Sequence, residues 1–208
     1  IYDDAEVYGN AKVYGDAKVW SNAEIWGGAK VYGSAEIWGK AEVCGNAEIW
    51  DGAEVCGHAR VWGIAEIWGN ATVCGDAAVG GIAKVYGDAL VCGNAEVYGD
   101  ALVCGNALVS GNAAVSSNEH ILNITPIGTT AESLTFFRTK TRGIGVSFGH
   151  DVYTLDAFKQ LITDWTDKRK TIAQMAIKIA ETHIDLASSG RTHCPRCEMK
   201  TGKCRQCI

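Results

Sequence analysis

The chain has 208 residues, 24 of them acidic and 19 basic, for a formal charge of −5, and 47% of it is apolar. That apolar share excludes wholesale disorder, and the slight acidity removes the electrostatic basis for a nucleic-acid-binding body. No run of about 18 apolar residues could cross a bilayer as a helix, and no secretory leader is apparent; the first residue is Ile1 rather than Met, which leaves room for an upstream segment.

From Ala5 to Ala113 an alanine stands at every sixth position, nineteen times without a break. Two residues after each alanine comes Val or Ile, from Val7 to Val115, and Ile1 extends that column backward. Two further on comes Gly in most units, with Asp3, Ser21, Asp51 and Ser117 as exceptions, and then commonly Asn or Asp, as at Asn10, Asp16, Asn22 and Asn46. Period-two alternation puts Ala and Val/Ile on one side of a short strand and the intervening residues on the other. Gly and Asn/Asp turn the corner, because both tolerate positive φ. Three such sides make an 18-residue triangular coil, with Ala at the crowded inner corners. Nineteen units give a little over six coils, a prism of about 30 Å at roughly 4.8 Å per stacked strand. Gly at every sixth residue argues against a helix.

This unit, Ala–x–Val–(Tyr/Trp/Cys)–Gly–(Asn/Asp), resembles that of the hexapeptide-repeat left-handed parallel β-helix family over residues 1–117. The resemblance implies a left-handed coil and a homotrimer. Left-handedness is taken from the resemblance, since parallel crossovers are otherwise right-handed.

The outward position after Val carries twelve of the fourteen Tyr and Trp residues, and five Cys. Sorted by coil, it gives three columns. The ring face stacks Tyr14, Tyr32, Trp50, Trp68, Tyr86 and Cys104. The thiol face stacks Tyr2, Trp20, Trp38, Cys56, Cys74, Cys92 and Ser110. The mixed face stacks Tyr8, Trp26, Cys44, Trp62, Gly80, Tyr98 and Ser116. The other outward position is charged early, as at Glu6, Lys12, Lys18, Glu24 and Lys30, and apolar late, at Leu90, Leu102 and Leu108. Cys74, Leu90, Cys92, Leu108 and Ser110 thus form a small uncharged patch, which is expected to be a subunit interface. Two readings of the ring column stay open. Stacked rings stabilise neighbouring strands, and Tyr14, Tyr32, Trp50, Trp68 and Tyr86 could also form a platform for a sugar or a nucleobase. The stacked cysteines are read as small apolar packers in a reducing compartment. His58 and Ile64 stand at turn positions usually given to Asn or Asp.

Residues 118–187 break the period and read as a small α+β cap. Strands are predicted over 121–128, 134–140 and 143–148. Thr154 caps a helix running to about Trp165, and a second helix runs from 166 or 167 to about Leu186. The apolar face of that second helix is read as Ile172, Met175, Ala176 and Ile179, with His183 beside it. The runs 124–129, 134–140 and 154–158 resemble a small cap domain of bacterial and phage hexapeptide-repeat proteins. His150 beside Asp151 is a conceivable base and orienter. Arg138, Lys140 and Arg142 form a basic stretch read as a solvated strand face.

Residues 188–208 hold Cys194, Cys197, Cys204 and Cys207, two Cys-x-x-Cys pairs that suit a tetrahedral four-thiolate structural zinc site. Arg191, Arg196, Lys200, Lys203 and Arg205 make this tail basic, open to protein docking or nucleic-acid contact.

No catalytic residue is singled out. The expected function is a non-enzymatic homotrimeric β-helix scaffold or binding protein of bacterial or phage origin, presenting cap and zinc-tail modules and holding a ligand in intersubunit clefts. It is expected in the reducing cytoplasm or with a virion, without membrane contact. One alternative is an acyltransferase with an acyl-coenzyme donor, for which His58, His120 and His150 are the available bases. Another is a binder of a nucleotide-like signal.

Overall fold

A computed structural model describes residues 1–127, 132–166, 168–184 and 186. Residues 6–115 form nineteen two-residue strands, from Glu6–Val7 to Ala114–Val115, arranged as a parallel β-solenoid of about six turns. Each strand up to Glu96–Val97 pairs with the strand three further along the chain, in an 18-residue register: Glu6 opposes Glu24, and Leu90 opposes Leu108. Three parallel sheets result, of seven, six and six strands. Adjacent coils are joined by main-chain bonds that persist through the corners, such as Glu66 N–H to Ala83 O at 3.0 Å and Ile64 N–H to Gly81 O at 2.7 Å.

The interior is the Ala and Val/Ile columns. From Val19 to Val115 they are essentially inaccessible to solvent, while Val7 and Val13 in the first coil are half-covered. Each buried branched side chain contributes roughly 1.5–3 kcal/mol. The corners require positive φ, and three of the four non-glycine corner residues adopt it: Asp3, Ser21 and Asp51, at 56°, 61° and 55°. The fourth, Ser117, is extended at φ −155°, and the coil stops there. Trp50 and Trp68 lie outside the solenoid, partly exposed, as the alternation requires.

The open edge of the last coil is closed by the cap, an antiparallel sheet of Ile121–Ile124, Leu134–Arg138, Ile144–Phe148 and Asp151–Thr154. Unpaired edge groups must find partners. Leu108 N–H donates to Thr135 Oγ1 (3.1 Å), Leu102 N–H to Asn118 Oδ1 (2.9 Å) and Lys140 N–H to Asn112 O (2.8 Å). Lys140 also pairs with Glu96 at 2.8 Å. His183 Nε2 lies 3.1 and 3.2 Å from the carbonyl oxygens of Asn118 and Ile121, which ties the end of the second helix to the first residues of the cap, just past the last coil.

The cap corrects four expectations. The strand Asp151–Thr154 was not among those predicted; it forms because Gly149 at φ +61° reverses the chain early. The first helix spans Leu155–Leu161 and tightens into a 3₁₀ turn at Ile162–Asp164, with Thr154 Oγ1 accepting from Ala157 N–H as its cap. The second helix, Lys168–His183, buries Ala173, Ala176, Ile177 and Ala180, whereas Met175 and Ile179 are 60% and 50% exposed. Alanines let that helix lie close to the sheet, so its buried stripe is narrower than the row of large side chains suggested. Arg138 is buried rather than solvated.

Candidate functional site

Three outward surfaces carry the residues with chemistry. On the ring face the successive centroids from Tyr14 to Tyr86 are 5.0, 5.7, 5.1 and 4.4 Å apart, with planes within 6° of parallel. The rings thus spend their faces on one another and turn edges outward. A flat sugar or base needs a free face, so this column has the geometry of cross-strand stacking. Beside it, Lys30 pairs with Glu48 at 2.6 Å and Lys84 with Glu66 at 2.9 Å.

The thiol face places Cys56, Cys74, Cys92 and Ser110 in register on successive coils, all partly exposed. Cys92 Sγ and Ser110 Oγ are hydrogen-bonded at 3.1 Å. Hydrogen bonding from Cys74 and Ser110 favours the Cys92 thiolate and lowers its pKa to about 6, against the opposing cost of burial. The same contact pushes the Cys74 thiol far up, since it must remain the donor, and burial adds to this. Leu90 and Leu108 lie beside this column, but Leu108 is only 7% exposed because the chain's own cap overhangs it. A groove of about 430 Å³ opens there, lined by Asp88, Leu90, Asn106, Leu108, Ser133 and His150. Of the patch expected to be an interface, Cys74, Leu90, Cys92 and Ser110 remain partly open.

The mixed face holds a feature that the sequence did not single out. A Cβ on Gly80 would lie 2.0 Å from Trp62 Cε2 and 2.4–2.5 Å from the atoms bonded to it. Those distances put the Trp62 indole flat against the Gly80 backbone, parallel to the sheet surface. Only glycine leaves that space. At the corner following this strand stand Ile64 and Ile82, one coil apart and 57% and 55% exposed.

The histidines divide by environment. His58 is exposed in its turn, with Nδ1 3.2 Å from Asp76 Oδ1. His120 is buried between Ser116, whose N–H donates to Nδ1 at 3.1 Å, and Arg138, whose Nη1 lies 3.3 Å from Nε2. That clamp joins the last coil to the cap and withdraws His120 from solvent. His150 lines the groove beside Leu90, while the neighbouring Asp151 accepts from the Tyr153 hydroxyl at 3.3 Å. The His150–Asp151 pairing is therefore replaced by a strand contact.

Cys194, Cys197, Cys204 and Cys207 lie outside the described residues. Among the described residues no group of three or more His, Cys, Asp and Glu is arranged to hold a metal. No described helix is long and apolar enough to cross a membrane. Compared with protein-family models, curated proteins and solved structures, the chain matches none.

Proposed function

We propose that the chain is a non-enzymatic scaffold or binding protein, a homotrimer of left-handed, triangular-coiled hexapeptide-repeat β-helices of bacterial or phage origin. The observation that supports this is the unbroken 18-residue register from Glu6 to Val115, in which no coil diverges to build a pocket. A rod of this kind fixes distance and orientation, and three rods hold three caps at one end. The tail cysteines Cys194, Cys197, Cys204 and Cys207 bind one zinc ion per chain as a structural clip. The clefts between copies, and the groove at Leu90 and His150, are where a small ligand or a protein partner would sit. Fold likeness to acyltransferases is a weak warrant for their chemistry. Of the three candidate bases, His150 faces the groove beside Leu90.

Native mass spectrometry of the full chain tests the proposal. The expected species is three chains with three zinc ions. A monomer overturns the scaffold geometry, and a metal-free trimer overturns the zinc clip. Acyl-coenzyme binding that is lost in His150→Ala would replace the scaffold reading with the transferase one.

A further inference from the structure

A three-fold assembly needs a line along each solenoid where three copies can approach one another. On a three-fold axis every side chain meets two copies of itself, so an ionised group there is opposed by two like charges. The solenoid has three corners, and they differ in this respect. The corner between the ring and thiol faces carries Asp16 and Asp88, and the corner between the thiol and mixed faces carries Asp4, Lys40 and Asp76. The corner between the mixed and ring faces reads Asn10, Gly28, Asn46, Ile64, Ile82 and Asp100, and is free of charge for five successive coils. Its fourth and fifth layers are the exposed isoleucines, at positions filled by polar residues or glycine elsewhere in the repeat.

We propose that this corner is the self-association surface of the trimer, with Ile64 and Ile82 of three copies meeting in two adjacent layers on the axis. The inference rests on the trimeric reading above. Two further observations favour a second copy of the chain as the occupant. The first is charge: an axis here sets the mixed face of one copy beside the ring face of the next. The mixed face presents Glu6, Glu24 and Glu42 against a single Arg60, its Glu96 being paired with Lys140, whereas on the ring face Lys30 and Lys84 are paired with Glu48 and Glu66 and Lys12 is left in excess. An acidic surface thereby meets one with an excess of lysine, all the way round the ring. The second is relief: Trp62 lies flat on Gly80 immediately before the isoleucine corner, so the mixed face is low where a neighbour must come close, and offers an indole to it.

The test uses Ile64→Asn/Ile82→Asn in the full chain. Asn is the residue the repeat itself uses at this position, as at Asn46, so the corner conformation is preserved. Light scattering should report three chains for the unaltered protein and one for the double variant, with the circular-dichroism melt of the solenoid unchanged. Leu90→Ser/Cys92→Ser on the thiol face should remain trimeric. A double variant that stays trimeric overturns the corner assignment alone. An unaltered chain that is not trimeric overturns the trimeric reading and the corner with it. Should the double variant lose its melt, the single Ile82→Ser variant decides, since Ser34 already serves the neighbouring corner.

Discussion

Ile67 in the solenoid is paired with Ile49 below and Val85 above, each 18 residues away, and its coil touches only the coils on either side. Phe158 in the cap meets Phe136, Phe148, Tyr153 and Trp165, side chains from four separate segments, at centroid distances of 6.0–6.2 Å. The first arrangement is a stack of equivalent layers, whose stability accumulates by nearest neighbours. The second is one cluster whose members depend on each other. The contrast teaches that damage should spread differently in the two: along a line in the solenoid, and all at once in the cap.

The largest effect is expected for Ile67→Asp. A carboxylate in a dry interior has no partner, and the cost, several kcal/mol or more, exceeds what its two neighbouring coils supply. Loss of the β-sheet circular-dichroism signal and of soluble protein should follow; a folded variant would mean that the coils tolerate local opening. Next, Phe158→Ala should cost the cap about 3–5 kcal/mol. Limited proteolysis should then cut the cap while residues 1–117 resist. Simultaneous loss of both would show that the two regions fold as a unit. Trp50→Ala removes two stacked contacts and should lower solenoid stability by about 1–3 kcal/mol in denaturant titration; no change would mean that the ring ladder contributes nothing to the stack. The smallest effect on stability should come from Lys30→Met, which breaks an exposed, solvent-screened ion pair and should leave the denaturation midpoint nearly unmoved. A purely chemical test separates the thiols. Because the folded Cys92 pKa is depressed to about 6, its alkylation by iodoacetamide should switch on as pH rises through that value, with Cys74 unlabelled at neutral pH. Equal labelling of the two at ordinary thiol pH would remove the hydrogen-bonded thiolate.

The solenoid was legible because a six-residue period states inside, outside and corner for every residue, and no other fold satisfies nineteen alanines in register. The cap was legible in outline, since β-branched runs and the Thr154 cap are local signals. Its strand Asp151–Thr154 and the alanine stripe of its second helix were not, because each is fixed by the sheet it packs on. The His120 clamp joins residues 18 positions apart across the end of the period, where alternation no longer predicts direction. At the corner, Ile64 stood out as a departure from Asn, but its coupling to Ile82 and to the flattened Trp62 emerges only when the coils are stacked. The four tail cysteines rest on spacing alone.

The 18-residue register has one more consequence. Excising residues 23–40 would join Asn22 to Ala41 and leave each remaining strand facing a partner of the same type. The separation between the two ends of the rod would fall by a single strand spacing, about 4.8 Å, with the cap untouched. The chain is in that sense a graduated ruler, and whatever is fastened at either end can be moved apart or together in fixed increments by the gain or loss of whole coils.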